Sequence, residues 1–318
     1  MGKKVLIVGS GLIARFHARA VNASGNLELA GFCDTFMPES ARKASAEFGG
    51  GAWGGLDAAL EESGAGMVSV ATASGGHDEA VKAAAAHRVP VLVEKPLSIT
   101  TARIDELIAA CRATSTPLGC IFQTRWTDEF LEAKRKVENG ELGRITYAGV
   151  RIPWWRGDEY YTKSSWHGTW AVDGGGALMN QSIHMIDWLT ALMPEVVEVK
   201  AFAATLAHPM EAEDTVSAAI LFKGGALGGV YATTASFPGR GKMLEITGTA
   251  GTLEVTDAVT GASRPDQLEY EGHLRCFEAF AGSLDSGAPY PVPGEEARKS
   301  VSLIERIYES GGLRRNMV

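Results

Sequence analysis

Apolar residues in the first 120 positions come in short unbroken runs separated by stretches of helical period. Val5-Leu6-Ile7-Val8 and Val91-Leu92-Val93 read as strands buried on both faces, and Leu27 to Cys33, Met67 to Ala71 and Leu118 to Phe122 as further strands. The stretch ending at Ala20, Ala41 to Phe48, His77 to His87 and Ile104 to Cys111 read as helices. Strands alternating with helices predict a parallel, doubly wound α/β sheet. The pattern then changes. Ile145 to Ile152, Val196 to Phe202, Thr215 to Phe222, Leu227 to Thr234 and Lys242 to Thr247 are β-rich, with turns such as Lys223-Gly-Gly. Asn180 to Leu192 has helical spacing and a stop at Pro194, and Gly272 to Gly282 and Glu295 to Glu309 read as two more helices. Two domains are expected, residues 1–120 and 121–318.

The first strand runs straight into Gly9-x-Gly11-x-x-Ala14, and Asp34 closes the second strand about 20 residues later. Gly9 permits the tight turn, Gly11 lets a pyrophosphate approach the backbone, and Ala14 allows close helix–strand packing. The helix start then offers N–H groups and a positive dipole end to phosphates. Asp34 would accept from ribose hydroxyls and repel a 2′-phosphate, which favours NAD. Arg42 and Lys43 downstream keep NADP as second choice. A glycine-rich turn alone is weak, but strand, glycines, helix, strand and acid occur here in order. Ligands of such sheets sit beyond the strands' carboxyl ends. That places Gly9, Ser10, Gly11, Leu12, Ile13, Asp34, Thr72, His77, Glu94, Lys95 and Gln123 as the expected cofactor-contacting residues.

Composition narrows the class. With 318 residues, 45% hydrophobic and 21% charged, the chain is neither disordered nor a disulfide scaffold. The net charge of −8 disfavours nucleic acid, and no apolar run is long enough to span a membrane. The four cysteines show no paired spacing, so reduced thiols and a cytoplasmic location are expected. Lys3-Lys4, Val5 to Ala14 and Ala18-Arg19-Ala20 imitate a secretory leader. Gly9, Gly11, Arg15 and His17 interrupt that pattern, which favours the strand–turn–helix reading.

Glu94-Lys95-Pro96 ends one strand. A lysine there is a candidate for polarising a substrate oxygen, although the tripeptide alone reads equally as a surface lysine before a proline. A second segment, Asp173-Gly-Gly-Gly-Ala-Leu-Met-Asn180-Gln-Ser-Ile-His184-Met-Ile-Asp187-Trp188, changes that balance. With Ile246-Thr-Gly248-Thr-Ala-Gly251 and the tail from Pro293 to Ser310, these motifs resemble the Gfo/Idh/MocA oxidoreductases over essentially the whole chain. The resemblance implies an N-terminal Rossmann domain followed by an α+β domain with a large open, mostly antiparallel sheet that forms a homodimer or homotetramer interface. It implies hydride transfer between NAD and a secondary alcohol of a sugar, sugar acid or cyclitol, with Lys95 and His184 in the catalytic positions. The family usually has aspartate where this chain has Asn180. The segment Gly-Ala-Leu-Met-Asn-Gln is similar to a subgroup with that asparagine.

Asn180, His184 and Asp187 at i, i+4 and i+7 would share one helix face. His184, with an intrinsic pKa near neutrality, is the candidate general base for the hydroxyl proton. Lys95 would stabilise the oxygen and Asn180 would orient the hydroxyl or the lysine. Without the family context, His184 reads as a satisfied core histidine. His184 with Asp187 lacks a third metal ligand, and no metal is expected. Six of the seven tryptophans lie between residues 126 and 188, with Tyr160 and Tyr161 among them. Such faces suit sugar rings, and they equally suit a core or an oligomer contact. Arg125, Arg151, Trp166 and His167 join Lys95, Asn180 and His184 as expected substrate contacts, and related chains carry Arg where His167 stands. Arg156 and Lys163 offer further donors. The rival functions are an NAD-dependent glycoside hydrolase working by transient sugar oxidation and a non-catalytic sugar or NAD sensor.

Overall fold

A computed structural model describes residues 2–257 and 270–313. Contacts among them form two compact units. Residues 2–98, 102–123 and 270–297 make the first, and 99–101, 124–257 and 298–313 make the second. The expected second domain also includes residues 258–269 and 314–318, which lie outside the described residues.

The first unit holds six parallel strands in the order β3-β2-β1-β4-β5-β6. They are β1 (Lys3–Val8), β2 (Leu27–Cys33), β3 (Gly51–Trp53), β4 (Met67–Val70), β5 (Val91–Glu94) and β6 (Leu118–Ile121). The crossovers are α1 (Leu12–Ala23), α2 (Pro38–Phe48), α3 (Leu56–Glu62), α4 (His77–Ala86) and α5 (Thr101–Ala113). Val5, Leu6 and Ile7 are fully buried, as a strand covered on both faces requires. The three-residue β3 carries no apolar run and gives no periodic signal.

A single boundary near residue 120 is expected from the sequence, but the segment 270–297 belongs to the first unit. The reason is local. Helix α9 (Glu271–Ser286) buries Phe277 and Phe280 and packs on α1. Pro293 then bridges to Gly119 at the edge of β6, where Cys120 N–H donates to Val292 O at 2.9 Å and Tyr290 Oη to Cys120 O at 3.1 Å.

The second unit is built on a six-stranded sheet in the order β12-β11-β7-β10-β9-β8. Its strands are β7 (Ile145–Pro153), β8 (Val196–Ala204), β9 (Thr215–Phe222), β10 (Leu227–Thr233), β11 (Lys242–Gly248) and β12 (Thr252–Asp257). The β7–β10 pair is parallel and the other four are antiparallel. A two-residue period buries Ala148, Val150 and Ile152 of β7 on one face. The mostly polar helix α6 (Asp128–Glu138) and the short α7 (Asp158–Thr162) carry no sustained apolar pattern that marks them in the sequence. Thr127 caps α6 by accepting from Phe130 N–H, acids fill its first turn and Arg135 and Lys136 its last.

The expected helix Asn180 to Leu192 changes in kind along its length. Ala177–Ser182 winds as a π-helical turn, and α8 begins at Ile183 and ends at Leu192. Ser182 Oγ donates back to Ala177 O at 2.6 Å. The wide turn interrupts the 3.6-residue period between Asn180 and the residues of α8. Asp187 is fully buried, whereas Asn180 and His184 are half-buried.

Candidate functional site

In the first unit the glycine turn has the geometry a phosphate cradle needs. Gly9 adopts φ +104°, and a Cβ there would lie 2.6 Å from Ala71 O. Gly11 is the N-cap of α1, without a side-chain cap and without an acid in the first helical turn. A Cβ on Gly11 would meet nothing within 4 Å, so the turn opens outward there. Leu12 is exposed, Ile13 half-buried and Ala14 fully buried against the sheet. Asp34, at the end of β2, receives Ser10 Oγ–H at 2.6 Å on Oδ2. Its Oδ1 receives the N–H groups of Phe36 and Met37 at 3.1 and 2.8 Å. The carboxylate is thus fixed from three sides. Phe36 and Met37, which sequence reasoning missed, present exposed apolar side chains next to it.

Further along the same strand ends, His77 is buried, with Nδ1 2.9 Å from Pro96 O and Nε2 3.1 Å from Thr72 O. Burial lowers its pKa, against the pull of those carbonyls and of Glu94. His77 therefore ties the end of β4 to the end of β5 instead of facing outward. Thr72 Oγ1 and Gln123 Oε1 are buried with no hydrogen-bond partner among the described residues. Such orphaned groups in a cofactor domain fit a ligand that completes them. Glu94 turns inward: its Oε1 lies 2.9 Å from His17 Nε2, and its Oε2 accepts from Lys95 N–H at 3.1 Å. Lys95 itself is half-buried.

In the second unit, Gly174, Gly175 and Gly176 precede the π turn because nothing larger fits. Cβ atoms there would come within 2.5 Å of Ile99 Cβ, 2.1 Å of Tyr308 Oη and 2.0 Å of Glu213 O. Glu213 is fully buried and caps the turn, accepting from Gly176 N–H (3.0 Å), Leu178 N–H (2.8 Å) and Tyr308 Oη (2.8 Å). Burial pushes its carboxyl up to about 7, against those three donors. Asn180 Nδ2 donates to Asp173 at 2.7 Å, and Asn180 Oδ1 accepts from Gln181 at 2.9 Å. Gln181 also donates to Tyr160 Oη at 3.0 Å and accepts from Arg156 Nε at 3.1 Å. Tyr160 stacks on His167 at 4.1 Å, Trp166 leans on His167 at 4.0 Å, and Arg156 lies 5.0 Å over Tyr160. Asn180, Trp166 and His167 thus sit in one polar–aromatic network. No sequence signal marked Asp173, Gln181 or Glu213 as members, because their roles come from long-range packing.

Two expected substrate contacts are placed elsewhere. Arg125 is buried, and its Nε and Nη2 both donate to Asp187 at 2.7 Å. Arg151 stands on the open face of the sheet, opposite the face that α8 covers, because β7 alternates sides with a two-residue period. Trp154 and Trp188 are buried, and Trp188 Nε1 donates to Thr124 at 3.0 Å. These are structural tryptophans.

Residues 3–122 match the oxidoreductase family with an NAD-binding Rossmann fold, and residues 130–254 match the GFO/IDH/MocA C-terminal domain. The chain belongs to the Gfo/Idh/MocA family of oxidoreductases. The WlbA dehydrogenase of Bordetella pertussis, solved with NADH and UDP-GlcNAcA, is 30% identical, with a TM-score of 0.90 over 98% of this chain and 97% of that one. D-apiose dehydrogenase of Rhizobium rhizogenes is 24% identical over 96% of this chain and 94% of its own length. An uncharacterized oxidoreductase of Bacillus subtilis is 30% identical over 61% of this chain and 54% of its own length. Gfo/Idh/MocA membership accounts for the parallel sheet and the second, mostly antiparallel one. The open turn at Gly11, the fixed carboxylate of Asp34 and the orphaned Thr72 hydroxyl fit the family's dinucleotide.

Proposed function

We propose that this chain is an NAD-dependent dehydrogenase acting on a secondary alcohol of a sugar, sugar acid or cyclitol. The observation that carries the reading is the pairing, in one unit, of the open Gly11 turn and Asp34 with Lys95 at the end of β5 in the same parallel sheet. NAD, when bound, supplies the hydride acceptor, and the first turn of α1 and Asp34 would hold its phosphates and ribose. Asp34's charge disfavours a 2′-phosphate, which makes NAD the preferred form over NADP. Lys95 stabilises the substrate oxygen as negative charge develops on it. His184 takes the hydroxyl proton. Asn180, with its amide oriented by Asp173 and Gln181, holds the hydroxyl. Trp166 and His167 supply ring faces for the sugar. Arg125 and Arg151 have no part in this reading.

The reading extends to the assembly. On the open face of the second sheet, Tyr147, Leu227, Tyr231 and Phe202 point outward around the small residues Gly149, Gly229 and Ala219. A flat face of this kind suits a second copy of the chain, in a homodimer or homotetramer in the cytoplasm. Light scattering on the purified protein tests it, and a monomer at micromolar concentration would end it. The activity is tested by screening sugars, sugar acids, their nucleotide conjugates and inositols for NADH formation. Release of free sugar from a glycoside without net NADH would show the hydrolase chemistry instead, and cofactor binding with no turnover of any kind would show a sensor.

A further inference from the structure

Beneath the reactive lysine lies a buried cluster that the reading above does not use. His17 of α1, Glu94 of β5 and His273 of α9 place their ligand atoms within 4.8 Å of one another, all three being buried. His17 Nδ1 is 2.8 Å from Ser69 Oγ on β4, and its Nε2 is 2.9 Å from Glu94 Oε1. His273 Nε2 lies 3.3 Å from the same oxygen without the alignment of a hydrogen bond, and its ring stands 5.3 Å from that of His17. Phe277, one turn on in α9, closes the other side of His17 with an edge contact at 5.3 Å.

Two arrangements fit such a set, a metal held by two histidines and a carboxylate or a chain of hydrogen bonds. Nitrogen and oxygen ligands of a tetrahedral zinc, each about 2.0–2.1 Å from the ion, stand about 3.3 Å apart. The 2.9 Å between His17 and Glu94 is a hydrogen-bond distance. A carboxylate accepts only, so Nε2 carries the proton. Burial lowers the pKa of His17, which leaves Nδ1 to accept from the Ser69 hydroxyl. Glu94 is pulled up by burial, yet the His17 hydrogen bond and the nearby His273 ring hold it well below the usual carboxylate range. The chain Ser69–His17–Glu94 therefore ends on a fixed anion, whose other oxygen receives Lys95 N–H at 3.1 Å.

We propose that Ser69, His17 and Glu94, walled by His273, act as positioning residues that clamp the backbone of Lys95 from the interior of the sheet. The functional meaning of the clamp rests on the dehydrogenase reading, but the clamp itself does not. It can be measured without substrate or cofactor, through the amide exchange of Lys95 and the pH profile of its ε-amine acylation, each mapped by mass spectrometry.

His17→Phe keeps the ring and removes the donor. In Glu94→Gln one acceptor oxygen must serve two donors. Both variants should exchange the Lys95 amide at least about tenfold faster and shift its acylation profile, with NADH affinity and melting monitored alongside. His17→Gln, whose amide nitrogen reaches the place of Nε2, should restore most of the protection lost in His17→Phe, which general loosening of the core would not allow. Wild-type exchange in both His17→Phe and Glu94→Gln would overturn the clamp. Stoichiometric zinc in the purified protein, lost on His17→Phe, would overturn it in favour of a metal site. A failed substrate screen leaves the exchange result standing, so the two readings fail separately.

Discussion

Arg125 and Asp187 form a two-point ion pair inside the second unit, Nε to Oδ2 and Nη2 to Oδ1, both at 2.7 Å. Asp187 is fully buried and Arg125 nearly so, and the pair pins α8, the helix that carries His184, to the turn after β6. Removing one partner leaves an uncompensated buried charge. Asp187→Ala is therefore expected to lose about 3–5 kcal/mol in urea denaturation, whereas an apolar pair such as Arg125→Met with Asp187→Leu should recover most of it. A loss below about 1 kcal/mol in Asp187→Ala would show that water reaches the guanidinium.

That pair also marks what could be read from sequence. The parallel sheet, the Gly9–Asp34 unit and the strands at 145–152 and 215–222 follow from local period and turn chemistry, which neighbouring residues encode. Arg125 reads as a substrate contact from sequence because nothing local reveals that Asp187, 62 positions away, accepts from both its Nε and its Nη2. The π turn was illegible for the same reason. It arises because Glu213, far along the chain, draws in the N–H groups of Gly176 and Leu178, and no helical pattern encodes that. The place of Arg151, by contrast, is legible, since its strand alternates sides and the odd positions of β7 face outward.

Glu213 should give the protein a measurable pH signature. Burial raises its carboxyl to about 7 in the folded state, against about 4.3 in the unfolded chain. The folded state then binds the proton more tightly, so this stabilisation is complete below about pH 4.3 and fades as pH rises through about 7. The full span is on the order of 4 kcal/mol. Urea denaturation between pH 5 and 8 should show stability falling more steeply with pH in the wild type than in Glu213→Gln. Parallel slopes would mean that the three donors at the carboxylate fully offset its burial.

Lys95→Ala and His184→Ala separate binding from chemistry. Each is expected to lower kcat by about 10²–10⁴ while NADH affinity stays within about threefold, because the phosphates and ribose fall, in the proposed reading, to the α1 turn and Asp34. The substrate KM should move less than kcat if both groups act mainly on charge that develops in the transition state. Full activity in either variant would remove that residue from the proposed chemistry.

In the proposed reading Asp34 sets the preference for NAD over NADP, and its three protein contacts allow a clean test. In Asp34→Asn the amide oxygen can still receive the N–H groups of Phe36 and Met37, and the amide nitrogen can donate to Ser10 Oγ, so the loop should keep its shape. Only the charge disappears. NADH binding should weaken by roughly tenfold, about 1.4 kcal/mol, as the ribose loses a charged acceptor. NADPH binding should strengthen, because its 2′-phosphate no longer meets a fixed anion. Fluorescence titration with both cofactors gives the ratio directly, and thermal melting of the apoprotein checks the loop. If Asp34→Asn changed neither affinity while the melt stayed the same, the ribose would have to be held elsewhere, and the preference for NAD would lose its physical basis.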